Sequence, residues 1–328
     1  MTQTASRPAG QDVVEVPRAA LRAVLPLLRE IGDLKRVRTA GSGASVAERA
    51  FRRAWAQLVR GEEPADVAAR ACAAAVAGAR LAGVDGPVLR RCGLTADEAV
   101  AVLERSVAQH ADRVGPLTSA LVRGTLPDLV EEPYGARDFS EGREPYGGPV
   151  PEFAEALCAQ PRAGATRPGR PRLMVEPPES HGDHCWAVAV HGVLLAEAFG
   201  ADPGDAFLLG LAHHLHNAVL PDAGFSGEEL LGGHLPAVVA RLTEERLAVL
   251  PGTLTARLRP LLALREEAGA PAARAFHAAD VLDRVLQVRH HARAAAFTAE
   301  QALDDLDLVH PCAVSGFHQA VLGAAEAG

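Results

Sequence analysis

The thirteen histidines of this 328-residue chain are spread unevenly: His110 is the only one before residue 181, and the other twelve fall in the last 148 residues. Imidazole titrates near neutrality and ligates transition metals, so the C-terminal half is where acid–base or metal chemistry is to be sought. The segment ESHGDHCWAVAVHGVLLAEAFGADPGDAFLLGLAHHLHNAVLPDAGF reads as two helices joined by a turn at Gly200 to Pro203. The first is expected from about Gly182 and the second from Pro203 to about Asn217. A third helix is expected after the Ser226-Gly-Glu-Glu229 capping box, and a later one contains AFHAADVLDRVLQVRHHARA. His184, the His213/His214 pair and Asp280 then project from three separate helices, the arrangement with which a helical bundle encloses a metal. Consecutive helical positions point about 100° apart, so His214 joins His213 only if the metal lies between their faces.

The elements that must position these residues are helices throughout. Apolar residues recur at three-and-four spacing, while β-branched or aromatic alternation of strand length is scarce. Ser45-Val-Ala-Glu48, Thr95-Ala-Asp-Glu98 and Thr298-Ala-Glu-Gln301 fit the capping box as Ser226 does, and Asp202-Pro203 combines an N-cap with proline at the first helical position. The pattern predicts helices over 17–31, 45–60, 64–82 and 95–110, with a short one near 116–123. From Glu131 to Pro178 the chain is dense in proline, glycine and charge, and only Glu152 to Ala159 looks helical. The expected fold is all-α: a helical N-terminal region of unknown role over 1–130, a Pro/Gly-rich linker over 131–173 and a metal-binding domain over 174–328.

Composition narrows the function classes. A net charge of −8 and a pI near 5.9 argue against broad, nonspecific nucleic-acid binding. The N-terminal MTQTASRPAGQDVVEV lacks a charged-then-apolar signal pattern and no apolar run is long enough to cross a bilayer, so a cytoplasmic protein without a membrane partner is expected. Five cysteines, never in a CxxC pair, argue against a disulfide framework or a zinc knuckle. The 48% hydrophobic content suffices for a packed core. Ile31 is the only isoleucine and Lys35 the only lysine, a bias that looks genomic.

Here the sequence resembles the HD superfamily of metal-dependent phosphohydrolases and their oxygenase relatives. That family carries a histidine on one helix, a His-Asp dyad near the end of the next and a lone aspartate downstream. Glu179 to Trp186 resembles the helix of the first histidine, LGLAHHLHNAVLPDAG the dyad helix and HAADVLDRVLQ the last one. The resemblance covers about residues 174–325. It implies His184, His213, His214 and Asp280 as metal ligands, with His214 standing where the dyad aspartate is expected. Asn217 stands where one nucleotidase-like branch has a catalytic glutamate, and Asp222 matches a second acidic position of that branch and takes the catalytic role.

Three histidines and one aspartate leave a divalent ion with one positive charge, against neutrality for two and two. That favours zinc, iron, cobalt or nickel over magnesium and makes a two-metal centre harder to build. The resemblance implies a hydrolase of a phosphate ester, a nucleotide or another small phosphorylated metabolite. Two alternatives stand beside it: an iron-dependent oxygenase of the HD type, favoured by iron on purification and by His234 reaching the site, and a degenerate domain that senses a ligand or binds a protein without catalysis. Self-association into a homo-oligomer is open. His216, Asn217, His181, Asp183 and His191 are further groups near the ligands, and His290, His291, His310 and His318 read as surface or structural.

Overall fold

Alanine, leucine and arginine, all good helix formers, dominate the chain. The computed structural model describes residues 16–39, 42–131, 148–293, 298–301, 303, 308, 309 and 311–326, and it is all-α. The described residues hold isolated bridges such as Pro161 with Ser180, and no strand. The first helices are α1 (Arg18–Asp33), α2 (Val46–Val59), α3 (Pro64–Leu81), α4 (Gly86–Arg91), α5 (Ala96–Ala108) and α6 (Pro116–Glu131). Then follow α7 (Glu152–Ala159), α8 (His181–Phe199), α9 (Pro203–Ala212), α10 (Gly224–Leu231), α11 (Leu235–Leu247), α12 (Gly252–Ala263), α13 (Pro271–Ala292) and α14 (Ser315–Glu326). No helix among the described residues is long and apolar enough to cross a membrane.

α8 is the centre of the molecule. It is buried from His181 to Ala196 with no solvated stripe, which is what a helix that is apolar nearly all round requires. α9 and α13 pack on it from the C-terminal half, and α1, α2, α3 and α7 pack on it from the preceding chain. One apolar cluster therefore runs from Leu21 and Phe51 through Trp186 and Phe207 to Val285 and Val321. Gly210 lets α9 approach closely, since a Cβ there would stand 2.6 Å from the Ala189 Cα of α8.

Local differences from the expected elements have physical causes. α6 continues past Pro127 to Glu131 because Leu126, Leu129 and Val130 are buried, and packing outweighs the lost backbone bond. The helix assigned to the Ser226 capping box begins instead at Gly224, so Ser226 lies in its first turn and its amide donates to Thr166 Oγ1 at 3.2 Å. The boxes at Ser45 and Thr95 are present, and a further one, Ser180 with Asp183, opens α8. Thr298 and Gln301 exchange the two bonds of a box as well. Residues 132–147 of the expected linker, and His310, lie outside the described residues.

Candidate metal centre

The second site helix ends earlier than its sequence suggests, and that ending makes the site. α9 stops at Ala212, His213 is its C-cap, and a 3₁₀ turn over Leu215–Ala218 follows. His214, at φ −106° and ψ 21°, has left helical geometry, so the two histidines are freed from the helical offset between neighbours. Their rings stand 4.1 Å apart between centroids, and both face His184, which enters from the first turns of α8.

Each of these imidazoles is anchored through Nδ1 to an oxygen. His184 Nδ1 lies 2.8 Å from Asp283 Oδ2, His213 Nδ1 lies 2.7 Å from the Gly210 carbonyl, and His214 Nδ1 lies 2.7 Å from Asn217 Oδ1. The Asn217 orientation is fixed because its Nδ2 donates to the Leu220 carbonyl at 3.1 Å. A carbonyl can only accept, so His213 and His214 carry their protons on Nδ1, and the Asp283 carboxylate draws the His184 proton to the same position. The Nε2 atoms are left as lone pairs. Those of His184 and His213 face each other at 3.2 Å, where neither has a proton to donate.

One ligating atom from each of His184, His213 and His214 lies within 4.8 Å of the others, a group that could hold a metal ion. Asp280 on α13 adjoins it, with Oδ1 3.3 Å from His184 Nε2 and Oδ2 3.2 Å from an Arg284 nitrogen. Facing lone pairs backed by Nδ1–H donors are the donor set of a transition-metal site, and a carboxylate behind a ligating histidine is its usual support. The residues fit such an ion.

Electrostatics keep the groups in ligating form. Burial, reinforced by the neighbouring imidazoles, pushes His213 and His214 well below the ordinary histidine pKa. Burial pulls Asp280 upward, but Arg284, His184 and His213 outweigh it and hold the carboxyl well below its usual range. His181, one turn before His184, is lowered to about 3 by burial and then by Arg162; its Nε2 lies 3.6 Å from Asp222 Oδ2.

Above the site opens a cavity of about 340 Å³. His213, His214 and Asp280 form part of its wall, and Arg162, Arg265 and Arg284 place three cationic side chains on it. Asp222 lines the same cavity. Burial would raise its pKa, but Arg162, the Ala163 and Gly224 amides and His181 bring it below the ordinary value. Its oxygens accept those amides at 2.9 Å each, which makes it a permanent anion and a weak base. Glu228, on the same wall, has its pKa raised by desolvation and then by Asp222.

The sequence-predicted ligands are thus brought together, with Asp222 in the adjoining pocket. His191 is fully buried farther along α8 and lowered to about 4, chiefly by burial, while His234 is exposed in a 3₁₀ turn outside the cavity lining. Cys185 is buried, and burial pushes its thiol up, as suits a small packing residue. The sequence reading missed Asp283, Lys35 and Glu179 behind His184 and the pocket groups Arg162, Arg265, Glu228 and His318. Asp283 alone left a legible signal, three residues after Asp280 on the same helix. No family model matches the chain, and no curated protein or solved structure does.

Proposed function

We propose that the protein is a metal-dependent hydrolase of phosphate esters, related to the HD superfamily, with His184, His213, His214 and Asp280 as its metal ligands. The observation that carries this reading is the convergence of Nε2 lone pairs, each backed by an Nδ1–H bond, beside a cavity walled by three arginines. Imidazole nitrogens favour zinc, iron, cobalt or nickel. Such an ion, when bound, supplies Lewis acidity toward a phosphoryl oxygen and toward water.

The chain's own residues do the rest. Arg162, Arg265 and Arg284 offer guanidinium groups that match phosphate oxygens and offset their charge. Asp222, held ionised, accepts a hydrogen bond from water and orients it. Glu228 lines the same cavity as a further carboxyl, available for proton exchange with a leaving oxygen. The cavity is of a size for a small phosphorylated metabolite. His234 is exposed outside the cavity lining and so lends the oxygenase alternative no support, which leaves bound iron as the feature that would favour it. Charged walls favour a polar ligand over the apolar one of a sensing domain.

Elemental analysis of tag-free protein, with hydrolysis of a panel of phosphomonoesters, tests this reading. Near-stoichiometric transition metal and metal-dependent phosphate release, both lost in His184→Ala and His213→Ala, are expected. Folded wild-type protein that neither retains nor takes up zinc, cobalt, nickel or iron would overturn it.

A further inference from the structure

His184 has a second carboxylate cluster on its other side. Glu179, His184 and Asp283 also lie close enough together to hold a cation, and all three are buried. The chain fills that position itself. Lys35, in the turn after α1, is 4% exposed, with Nζ 2.7 Å from Asp283 Oδ1 and in contact with the Glu179 carboxylate. Asp283 Oδ2 in turn receives His184 Nδ1–H at 2.8 Å. A buried line thus runs from Glu179 through Lys35 and Asp283 to a candidate ligand.

A second tie lies beside it. Ser45 Oγ, the N-cap of α2, donates to Asp183 Oδ1, while Asp183 Oδ2 belongs to the capping box that starts α8 one residue before His184. Both ties come from the N-terminal helices, and both fix the end of α8 from which His184 projects.

We infer that Lys35 is a positioning residue of the metal centre. It pins the Asp283 carboxylate where it receives His184 Nδ1–H, so that His184 Nε2 is presented to the ion, and the N-terminal helices thereby complete the site. The inference rests on the metal reading above. Lys35 is the sole lysine among 33 lysine and arginine residues. Its ammonium is a compact point charge with three donors, and it touches the carboxylates of both Glu179 and Asp283.

The test uses full-length, metal-free protein titrated with Co²⁺ and Zn²⁺ against a chelator, with the His184 ring tautomer read by ¹⁵N NMR. Lys35→Met is expected to weaken both metals by about 10- to 100-fold, the range for groups that support a ligand. It should also change the cobalt absorption spectrum and mix the His184 tautomers. Glu197→Gln serves as the comparator: Glu197 caps the α6 amides from the far end of α8, and its loss should change none of these readouts. If Lys35→Met does not fold, the charge-balanced Lys35→Met/Glu179→Gln variant carries the same expectation. Wild-type affinity and tautomer in either folded variant overturn the inference. Wild-type protein that binds neither metal overturns the metal reading, and the tautomer comparison then still decides whether Lys35 orients His184.

Discussion

The two sides of the His184 ring meet the same kinds of groups and are used differently. On the Nδ1 side, Asp283 and Glu179 share an ammonium that the chain supplies, and all of them are 5% exposed or less at their side chains. On the Nε2 side, His213, His214 and Asp280 meet at a cavity wall, Asp280 is 16% exposed, and the imidazoles offer lone pairs in place of a cation. A buried carboxylate costs several kcal/mol unless paired, so the dry side must carry its own counter-charge. The side that opens on a cavity leaves its lone pairs within reach of an ion. One residue type in one ring thereby divides structure from chemistry.

The largest expected effect is on the open side. His184→Ala removes the ring that both sides share, and metal content should fall to background, as read by elemental analysis of the dialysed protein. Next comes Asp283→Ala on the closed side. It leaves Lys35 and His184 without their common partner, and losing one member of a buried ion pair costs about 3–5 kcal/mol. Urea unfolding measures that loss. Asp280→Ala, whose partner Arg284 is 18% exposed and can turn to water, should cost clearly less. Equal destabilisation by the two aspartate variants would erase the distinction between the sides.

How much of this could be read in advance depends on the range of the interactions. The helical fold was legible because periodicity and caps are local: Ser45 with Glu48 and Thr95 with Glu98 are three residues apart and present as expected. The candidate ligands were legible because a His pair and two single residues sit on recognisable helices. The end of α9 was not, since no glycine or proline follows Ala212 before Pro221. The last turn is drawn off by bonds to its carbonyls, Gly210 from the His213 ring and His213 from Arg265 Nη1 at 3.0 Å. Arg265 lies 52 residues away, and Lys35 lies 248 residues from Asp283. Pairings of that separation leave no periodic trace. The lone lysine looked like compositional bias and is a buried counter-ion.

Acid should loosen the metal-free protein. His181 at about 3, His191 and His216 at about 4, and the deeply lowered His213 and His214 all have folded values below the unfolded value of 6.5. The unfolded chain therefore binds more protons, and stability present above pH 6.5 is lost as pH falls toward 4. Each fully buried imidazole contributes about 1.4 kcal/mol per pH unit below its unfolded pKa. Asp183 works the other way: burial raises it to about 7, so it stabilises the fold as pH drops from 7 toward 3.8. Glu228 is raised as well, and these two carboxyls against several imidazoles leave the histidines in control. Unfolding midpoints in urea at pH 7 and pH 5 check the sign, and unchanged midpoints would mean the rings are not buried neutral.

The smallest expected effect compares the oxygens behind His184 and His214. Asp283 is a carboxylate, whereas Asn217 offers a neutral amide oxygen held by the Leu220 carbonyl. A neutral acceptor makes a weaker hydrogen bond than an ionised one and adds less basicity to the ring it supports. Asn217→Ala should therefore reduce zinc affinity by about 10-fold, at the low end for a supporting group, where Asp283→Ala lies at the high end. It should cost about 1–3 kcal/mol of stability, less than Asp283→Ala, because Asn217 is 6% exposed and its loss leaves the His214 Nδ1–H and the Leu220 carbonyl without that partner. Chelator competition on both variants ranks the two supports. If Asn217→Ala costs more affinity than Asp283→Ala, then His214 dominates the coordination and His184 is the auxiliary ligand.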